Sequence, residues 1–402
     1  MLKTREILKD VYYVGASDHR LKLFENRHLI THGMAYNSYL VIDEKIALFD
    51  TADKSVRVPF LDNVNHVLQG RKIDYLILHH AEPDHADLID EIMQMNPNLI
   101  LVATKIAITY LKQFYDLDLE GKTIEVKEGD TLSLGKKTLK FFMAPMVHWP
   151  EVMVSYEMSE KILFSADAFG SFGGLEGNLF SDELDYEEKW VNETRRYYSN
   201  IVGKYGLQTL SLLNKLQNVE IKYLFSLHGP LHRTNISFLI DKYKKWATYT
   251  PEEKGVVIAY GSIYGNTEEV ANILAGYLGD LGVKNISLYD TSITHVSYII
   301  RDIFRFSHVA LLSATYNLRV FPPMEALLND ITATGIKNRT FAIIENGSWS
   351  PTADTLIRAQ LAKLQNTTIL NSEKFTIKSR INEEQRPALY ELAKKIAEGI
   401  NS

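Results

Sequence analysis

A chain of 402 residues is longer than one ordinary hydrophobic core supports, so two domains are the natural expectation. Hydrophobic residues at 46%, charged residues at 23% and a formal charge of −6 describe a soluble globular protein and argue against a nucleic-acid binder, whose footprint is a basic field. The absence of cysteine excludes disulfides, cysteine-held zinc or iron–sulfur clusters and a thiol nucleophile, so any metal must be held by imidazole and carboxylate.

In chain order, strand-like runs fall at 11–14, 38–42, 45–50, 75–78, 98–103, 138–142 and 162–165, and a helical pattern at 86–95. Several of these strands end in polar clusters, where side chains converge at a sheet edge. The polar, proline-bearing stretch 247–254 reads as a linker, which divides the chain into domains at 1–250 and 255–402. Beyond it strands at 256–260, 286–289, 309–313, 341–345 and 368–371 alternate with helices. That is the pattern of a doubly wound parallel sheet of five strands, which binds ligands beyond its carboxyl ends. There is no apolar run long enough to span a bilayer and no secretory leader at the start, so a cytoplasmic protein with no membrane partner is expected.

The run 75–78 leads into His79-His80-Ala81-Glu82-Pro83-Asp84-His85, which places four candidate ligands, His80, Glu82, Asp84 and His85, within six residues. Burying so many titratable groups without a metal would cost several kcal/mol. Three more candidates follow later strands: His148, Asp167 and His228. Seven ligands, with Asp167 bridging, make a binuclear site in which a loop directs alternate side chains to one side. His79 points away from His80 by strand alternation and reads as structural.

The order H-x-E-x-D-H, then a distant His, an Asp nineteen residues later and a final His, resembles the flavodiiron protein family (A-type flavoproteins). The runs Tyr36-Asn37-Ser38-Tyr39, His148-Trp149-Pro150 and His228-Gly229-Pro230 extend the likeness over essentially the whole chain. Metallo-β-lactamase hydrolases that bind zinc carry histidine where Glu82 stands. The resemblance implies an N-terminal metallo-β-lactamase-like αββα sandwich followed by a flavodoxin-like five-stranded sheet. It also implies two iron ions, one on His80, Glu82 and His148 and the other on Asp84, His85 and His228, with Asp167 between them. Mixed imidazole–carboxylate ligation suits iron that cycles between ferrous and ferric states. Tyr197, Tyr198, His28 and Glu25 are candidates for the layer around the metals; many relatives place a histidine where this chain has Glu25, a departure that does not carry over any proton donor the family has at this position.

In the C-terminal half Ser262, Ile263, Tyr264, Gly265, Asn266 and Thr267 join a strand to a helix and offer hydroxyls and backbone N–H groups to a phosphate. This loop resembles the phosphate loop of flavodoxins. Two further strand ends, Ser313-Ala314-Thr315-Tyr316-Asn317 and Asn346-Gly347-Ser348-Trp349-Ser350, are placed to hold an isoalloxazine ring, and FMN is expected because no adenine-binding unit is evident.

Together the resemblance implies an oxidoreductase in which FMN feeds electrons to a diiron site that reduces dioxygen to water or nitric oxide to nitrous oxide. It further implies a head-to-tail homodimer, or a dimer of dimers. A separate electron donor is expected, either a rubredoxin with its NADH-dependent reductase or a reduced deazaflavin coenzyme. The alternative is a zinc-dependent hydrolase of the metallo-β-lactamase fold with an accessory flavodoxin-like domain.

Overall fold

The computed structural model describes residues 4–401, in two compact units: Met1–Tyr198 with Leu207–Lys244, and Ser199–Gly206 with Lys245–Ser402. In the first unit a seven-stranded sheet runs Arg5–Leu8, Val11–Tyr13, Tyr39–Ile42, Ile46–Phe49, Tyr75–Ile77, Ile100–Ala103 and Thr123–Glu125. Its pairings are antiparallel up to Ile46–Phe49 and parallel from there on. A five-stranded sheet follows, with Thr131–Ser133, Thr138–Met143, Met153–Glu157, Ile162–Phe164 and Tyr223–Phe225 in that order.

Strand alternation sets the packing. Tyr39, Val41, Ala47, Phe49, Ile77 and Val102 turn one way and meet Phe141, Met153, Ile162, Phe164 and Phe225 of the other sheet in one continuous core. The Phe49 and Phe164 rings stack with centroids 4.1 Å apart. The opposite face of the first sheet carries the registered row Leu40, Leu48, Leu76 and Leu101, each fully buried. Both faces are therefore covered, as a sheet with parallel strands requires.

The helical pattern at 86–95 divides into a four-residue turn, Pro83–Ala86, and a helix, Ile89–Met95. Leu88 between them leaves helical geometry (φ −103°, ψ 10°), and the Asp87 carboxylate accepts a hydrogen bond from the Tyr115 hydroxyl at 2.8 Å. This tertiary contact overrides the local period.

The second unit is a parallel sheet ordered Ile286–Asp290, Glu253–Gly261, Phe306–Tyr316, Arg339–Asn346 and Thr367–Ile369. The chain order 2-1-3-4-5 puts a switch point beside the first strand. Two short strands add to it, Arg319–Val320 antiparallel to the third and Thr376–Ile377 parallel to the fourth. One face packs Val256, Ile258, Ala310 and Leu312 against the helices Asn266–Asp280 and Arg386–Asn401. Among the described residues no helix is long and apolar enough to cross a membrane.

Phe49→Ala removes a ring from the contact between the two sheets of the first unit. Denaturant titration should show a loss of about 3–5 kcal/mol.

Candidate functional site

The strand Tyr75–Ile77 delivers two histidines to opposite sides. His79 is tied into the scaffold: its Nδ1 lies 2.5 Å from the Asp50 carboxylate, its Nε2 lies 2.7 Å from the Ser155 hydroxyl, and its backbone N–H donates to Asp50. His80 faces the other way, into a cluster of donors. Glu82 stands at the position just before the turn Pro83–Ala86, its side chain making no hydrogen bond to the turn, and Asp84 and His85 lie on the turn itself. The expected loop with alternating side chains is thus a helical turn, which Pro83 at its first position favours.

The cluster resolves into two groups of donor atoms, each within 4.8 Å of one another: His80, Glu82, His148 and Asp167; and Asp84, His85 and His228. Glu82 Oε2 lies 3.1 Å from both His80 Nε2 and His148 Nε2, and Asp167 Oδ2 lies 3.4 and 3.3 Å from the same two nitrogens. The other oxygen of Asp167, Oδ1, lies 3.2 Å from His85 Nε2 and 3.5 Å from His228 Nε2, while Asp84 Oδ2 lies 3.4 and 3.3 Å from them. One carboxylate therefore addresses both groups, one oxygen to each. Such spacings are those of donors arranged around a shared cation with bonds of about 2.0–2.2 Å.

Two observations test whether a metal pair fits. Both oxygens of Asp84 and both of Asp167 are buried with no hydrogen-bond partner, a costly state for anions. The histidine tautomers are also set from behind. His228 Nδ1 lies 2.7 Å from the Ala35 carbonyl and His80 Nδ1 lies 2.7 Å from Glu151 Oε1, so each Nδ1 carries its hydrogen outward and Nε2 offers a lone pair inward. His85 Nε2 and His228 Nε2 then stand 3.1 Å apart, a contact that only an intervening proton or cation relieves. The residues fit two metal ions.

Without a cation, protons take its place. Burial works against the charged form of His85 and His148, but the carboxylates Asp84 and Asp167, and Asp167 and Glu82, overcome it and push both up to about 9. Burial likewise opposes the charged forms of Glu82 and Asp167, yet the surrounding histidines hold both well below the usual carboxylate range.

Glu151 was not among the residues singled out in the sequence. It is buried, accepts from the His80 ring and from the Ala81 backbone N–H at 3.0 Å, and keeps Oε2 without a partner. Its one local signal is its place three residues after His148 in His-Trp-Pro-Glu. Of the two tyrosines, Tyr197 lies against the cluster, its ring 5.5 Å from that of His228 and its hydroxyl buried without a partner. Burial, and then the charge of Asp167, raise it well above the ordinary tyrosine range. Tyr198 turns instead to Tyr243, with centroids 4.9 Å apart, as the chain enters the π-helical turn Tyr198–Val202. His28 stands outside the donor groups, buried on Phe172, with Nε2 3.5 Å from Glu25. Glu25 lines a cavity of about 440 Å³ together with Glu82, Asp84, Tyr36 and Asp53.

In the second unit a cleft of about 330 Å³ opens at the carboxyl ends of the strands. Ser262, Ile263, Tyr264, Asn266 and Thr267 line it, as do Ala314, Thr315 and Asn317, and Asn346, Gly347, Ser348 and Trp349. Four expected residues do not. Gly265 has φ +88° and turns the chain into the helix Asn266–Asp280, with its N–H donating to the Ser262 hydroxyl. Ser313 is buried, and its hydroxyl donates to the Ala314 carbonyl. Tyr316 packs edge-on against Phe321, and Ser350 is exposed beyond the loop. Leu318 and Ser379 join the lining unforeseen, Ser379 hydrogen-bonded to Ser348 at 2.7 Å. Hydroxyls and the start of a 15-residue helix fit a phosphate without a cationic side chain. Tyr264 and Trp349, 90% and 70% exposed on the rim, fit a planar ring.

Comparison with known proteins agrees with this geometry. The family described as ODP family beta lactamase matches residues 34–229. The chain is 30% identical over 397 residues to a nitric oxide reductase of Moorella thermoacetica, covering 98% of each. It is similar to the solved rubredoxin oxygen:oxidoreductase of Desulfovibrio gigas, at 28% identity and a TM-score of 0.92 over 99% of this chain and 98% of that one. It is similar also to the flavodiiron protein of Giardia intestinalis, at 27% identity and a TM-score of 0.93 over 100% and 98%.

Glu151→Gln should weaken metal binding about 10- to 100-fold in a competitive chelator titration, because the His80 ring loses its charged partner. In the metal-free protein His85 and His148 hold protons more tightly folded than unfolded. Their stabilisation is complete below pH 6.5 and is lost as the pH rises through about 9. Melting curves of the metal-free protein should fall across that window, and those of the metal-loaded protein should not follow.

Proposed function

The chain belongs to the flavodiiron protein family, and from that premise we propose that it is an oxidoreductase that reduces dioxygen to water, nitric oxide to nitrous oxide, or both. The observation that carries this reading is the Asp167 carboxylate, with one oxygen turned to each of two donor groups of mixed imidazole and carboxylate. FMN and two non-haem irons, when bound, supply the redox chemistry, the flavin passing electrons to the metals. His80, Glu82, His148 and one oxygen of Asp167 would hold the first iron; Asp84, His85, His228 and the other oxygen would hold the second. Glu151 and the Ala35 carbonyl keep the rings in the tautomer that binds metal.

Three carboxylates (Glu82, Asp84 and Asp167) nearly balance two divalent cations in a buried site and stabilise the ferric state against the ferrous one. The loops after the first, third and fourth strands of the second unit would hold the flavin by its phosphate and ring. The zinc hydrolase alternative is not favoured: the Moorella thermoacetica relative is named a nitric oxide reductase and the Desulfovibrio gigas one an oxygen:oxidoreductase, and Glu82 occupies the position of a hydrolase histidine.

We further propose a separate electron donor of the rubredoxin kind, which the name of the Desulfovibrio gigas relative supports, with a reduced deazaflavin coenzyme as the other donor class. A head-to-tail dimer, or a dimer of such dimers, and a cytoplasmic location complete the reading. No nucleic acid or membrane takes part in it.

The test is anaerobic: the iron- and FMN-loaded protein is reduced and mixed separately with dioxygen and nitric oxide while flavin reoxidation is followed. Rapid multi-turnover reoxidation by one gas identifies the substrate; slow reoxidation by both overturns the reading. Asp84→Ala and His228→Ala should leave flavin reduction by the donor intact and abolish gas reduction.

A further inference from the structure

The reaction just proposed consumes protons: dioxygen takes up four electrons and four protons to become two waters, and two nitric oxide molecules take up two of each to give nitrous oxide and water. The electrons come from the donor by way of the flavin. A cavity of about 440 Å³ has Glu82 and Asp84, one carboxylate from each donor group, in its wall. The charged residues lining that cavity are Glu25, Asp53, Glu82 and Asp84, and Tyr36 adds a hydroxyl.

Four of these five are committed elsewhere. Glu82 and Asp84 belong to the donor groups. Asp53 caps the turn Lys54–Val56, its carboxylate accepting the Ser55 N–H at 2.7 Å. Tyr36 is 2% exposed and packs edge-on against His228, with ring centroids 5.8 Å apart, so it has no route to solvent. Glu25 remains. Its side chain is 31% exposed, so it touches both solvent and the cavity.

The backbone around Glu25 is built at a cost. Phe24 pairs with His28 across a tight hairpin, and Glu25 and Asn26 both adopt left-handed conformations, with φ +49° and +51°. Asparagine tolerates that region; glutamate does so poorly, and strain of this kind gathers where a side chain is needed in one place. The hairpin is registered on the metal site through Phe24, whose ring stands edge-on to His228 at 5.5 Å. His28 closes it from inside. Its ring is buried on Phe172, its Nε2 lies 3.5 Å from Glu25 Oε2, and its Nδ1 has no partner.

We propose that Glu25 delivers the protons consumed in gas reduction from solvent into this cavity, and that His28 is the positioning residue that fixes its carboxylate at the cavity wall. This rests on the reductase reading. For each proton consumed the Glu25 carboxyl gives its proton to the reduced oxygen-bearing product and takes one hydronium proton from solvent, so the residue itself is unchanged.

In protein loaded with FMN and iron, Glu25→Gln should slow reduction of the preferred gas about 10- to 100-fold and enlarge the solvent deuterium isotope effect. Iron content and the rate of flavin reduction by the donor should stay at wild-type values. Glu25→Asp should recover part of the rate. His28→Phe, which preserves the packing on Phe172, should slow turnover in the same direction. A readout independent of turnover comes from the strain: Glu25→Asn should raise the melting midpoint by about 2–4 °C while turnover falls. Wild-type turnover and an unchanged isotope effect in Glu25→Gln would overturn the proposal and leave the reductase reading standing. A loaded wild-type protein that reduces neither gas would overturn both.

Discussion

The first unit is organised around a single carboxylate that has no hydrogen bond of its own. Asp167 follows the strand Ile162–Phe164, which lies between Met153–Glu157 and Tyr223–Phe225 in its sheet. The chain after one of those neighbours and just before the other carries a candidate donor: His148 precedes Met153–Glu157 and His228 follows Tyr223–Phe225. Sheet order thus brings both histidines to Asp167, and the turn after Tyr75–Ile77 brings the remaining four donors from the opposing sheet. The loop that presents Asp167 is itself strained, with Ala166 and Phe169 at φ +52° and +68°. A Cβ on Gly170 would stand 2.9 Å from the Asp167 carbonyl, so only glycine allows the loop to close this tightly.

A buried cluster of this kind is unfavourable until its charges are matched. Three carboxylates and four imidazoles share a space largely shielded from water, where burial opposes every charge and only the opposite charges of neighbours offset it. The scaffold meets that cost by rigid support from outside: Ala35 and Glu151 hold two rings, and the Asp50–His79–Ser155 chain fixes the strand end from which the motif departs. Such support fixes the rings from behind, so that their Nε2 atoms face the carboxylates at 3.1–3.5 Å. It also explains why so many polar groups are tolerated beside a core of stacked phenylalanines.

The second unit uses a different economy. Its cleft has few charged groups and depends on where a parallel sheet opens: the first strand lies between the second and the third, and the loops at that switch point diverge. Backbone N–H groups at the start of a long helix, hydroxyls and rim aromatics are enough for an anionic, planar ligand. The affinity of such a site comes from convergence, so a residue one position out of phase, such as Ser313 or Tyr316, contributes packing and not contact.

What was legible in the sequence follows from what is local. Strand alternation, the H-x-E-x-D-H spacing and the glycine- and hydroxyl-rich strand ends are properties of a few consecutive residues, so the change of pattern between the halves, the seven candidate donors that the fold gathers into two groups and most of the residues lining the cleft of the second unit were legible in the chain. The break at Leu88 leaves no mark in the apolar period, and Asp87 beside it is held by Tyr115, 28 residues away. Glu151 escaped notice for the same reason, its partner His80 lying 71 positions away. Tyr197 and Tyr198 are identical side chains on successive residues, and only the packing of the chain entering a π-helical turn decides which one faces the metals. The sequence by itself determined the chemistry of the donors, because ligand type and spacing are written in the chain. The tertiary structure decided which second partners orient them, because those contacts exist only once two sheets have closed on each other.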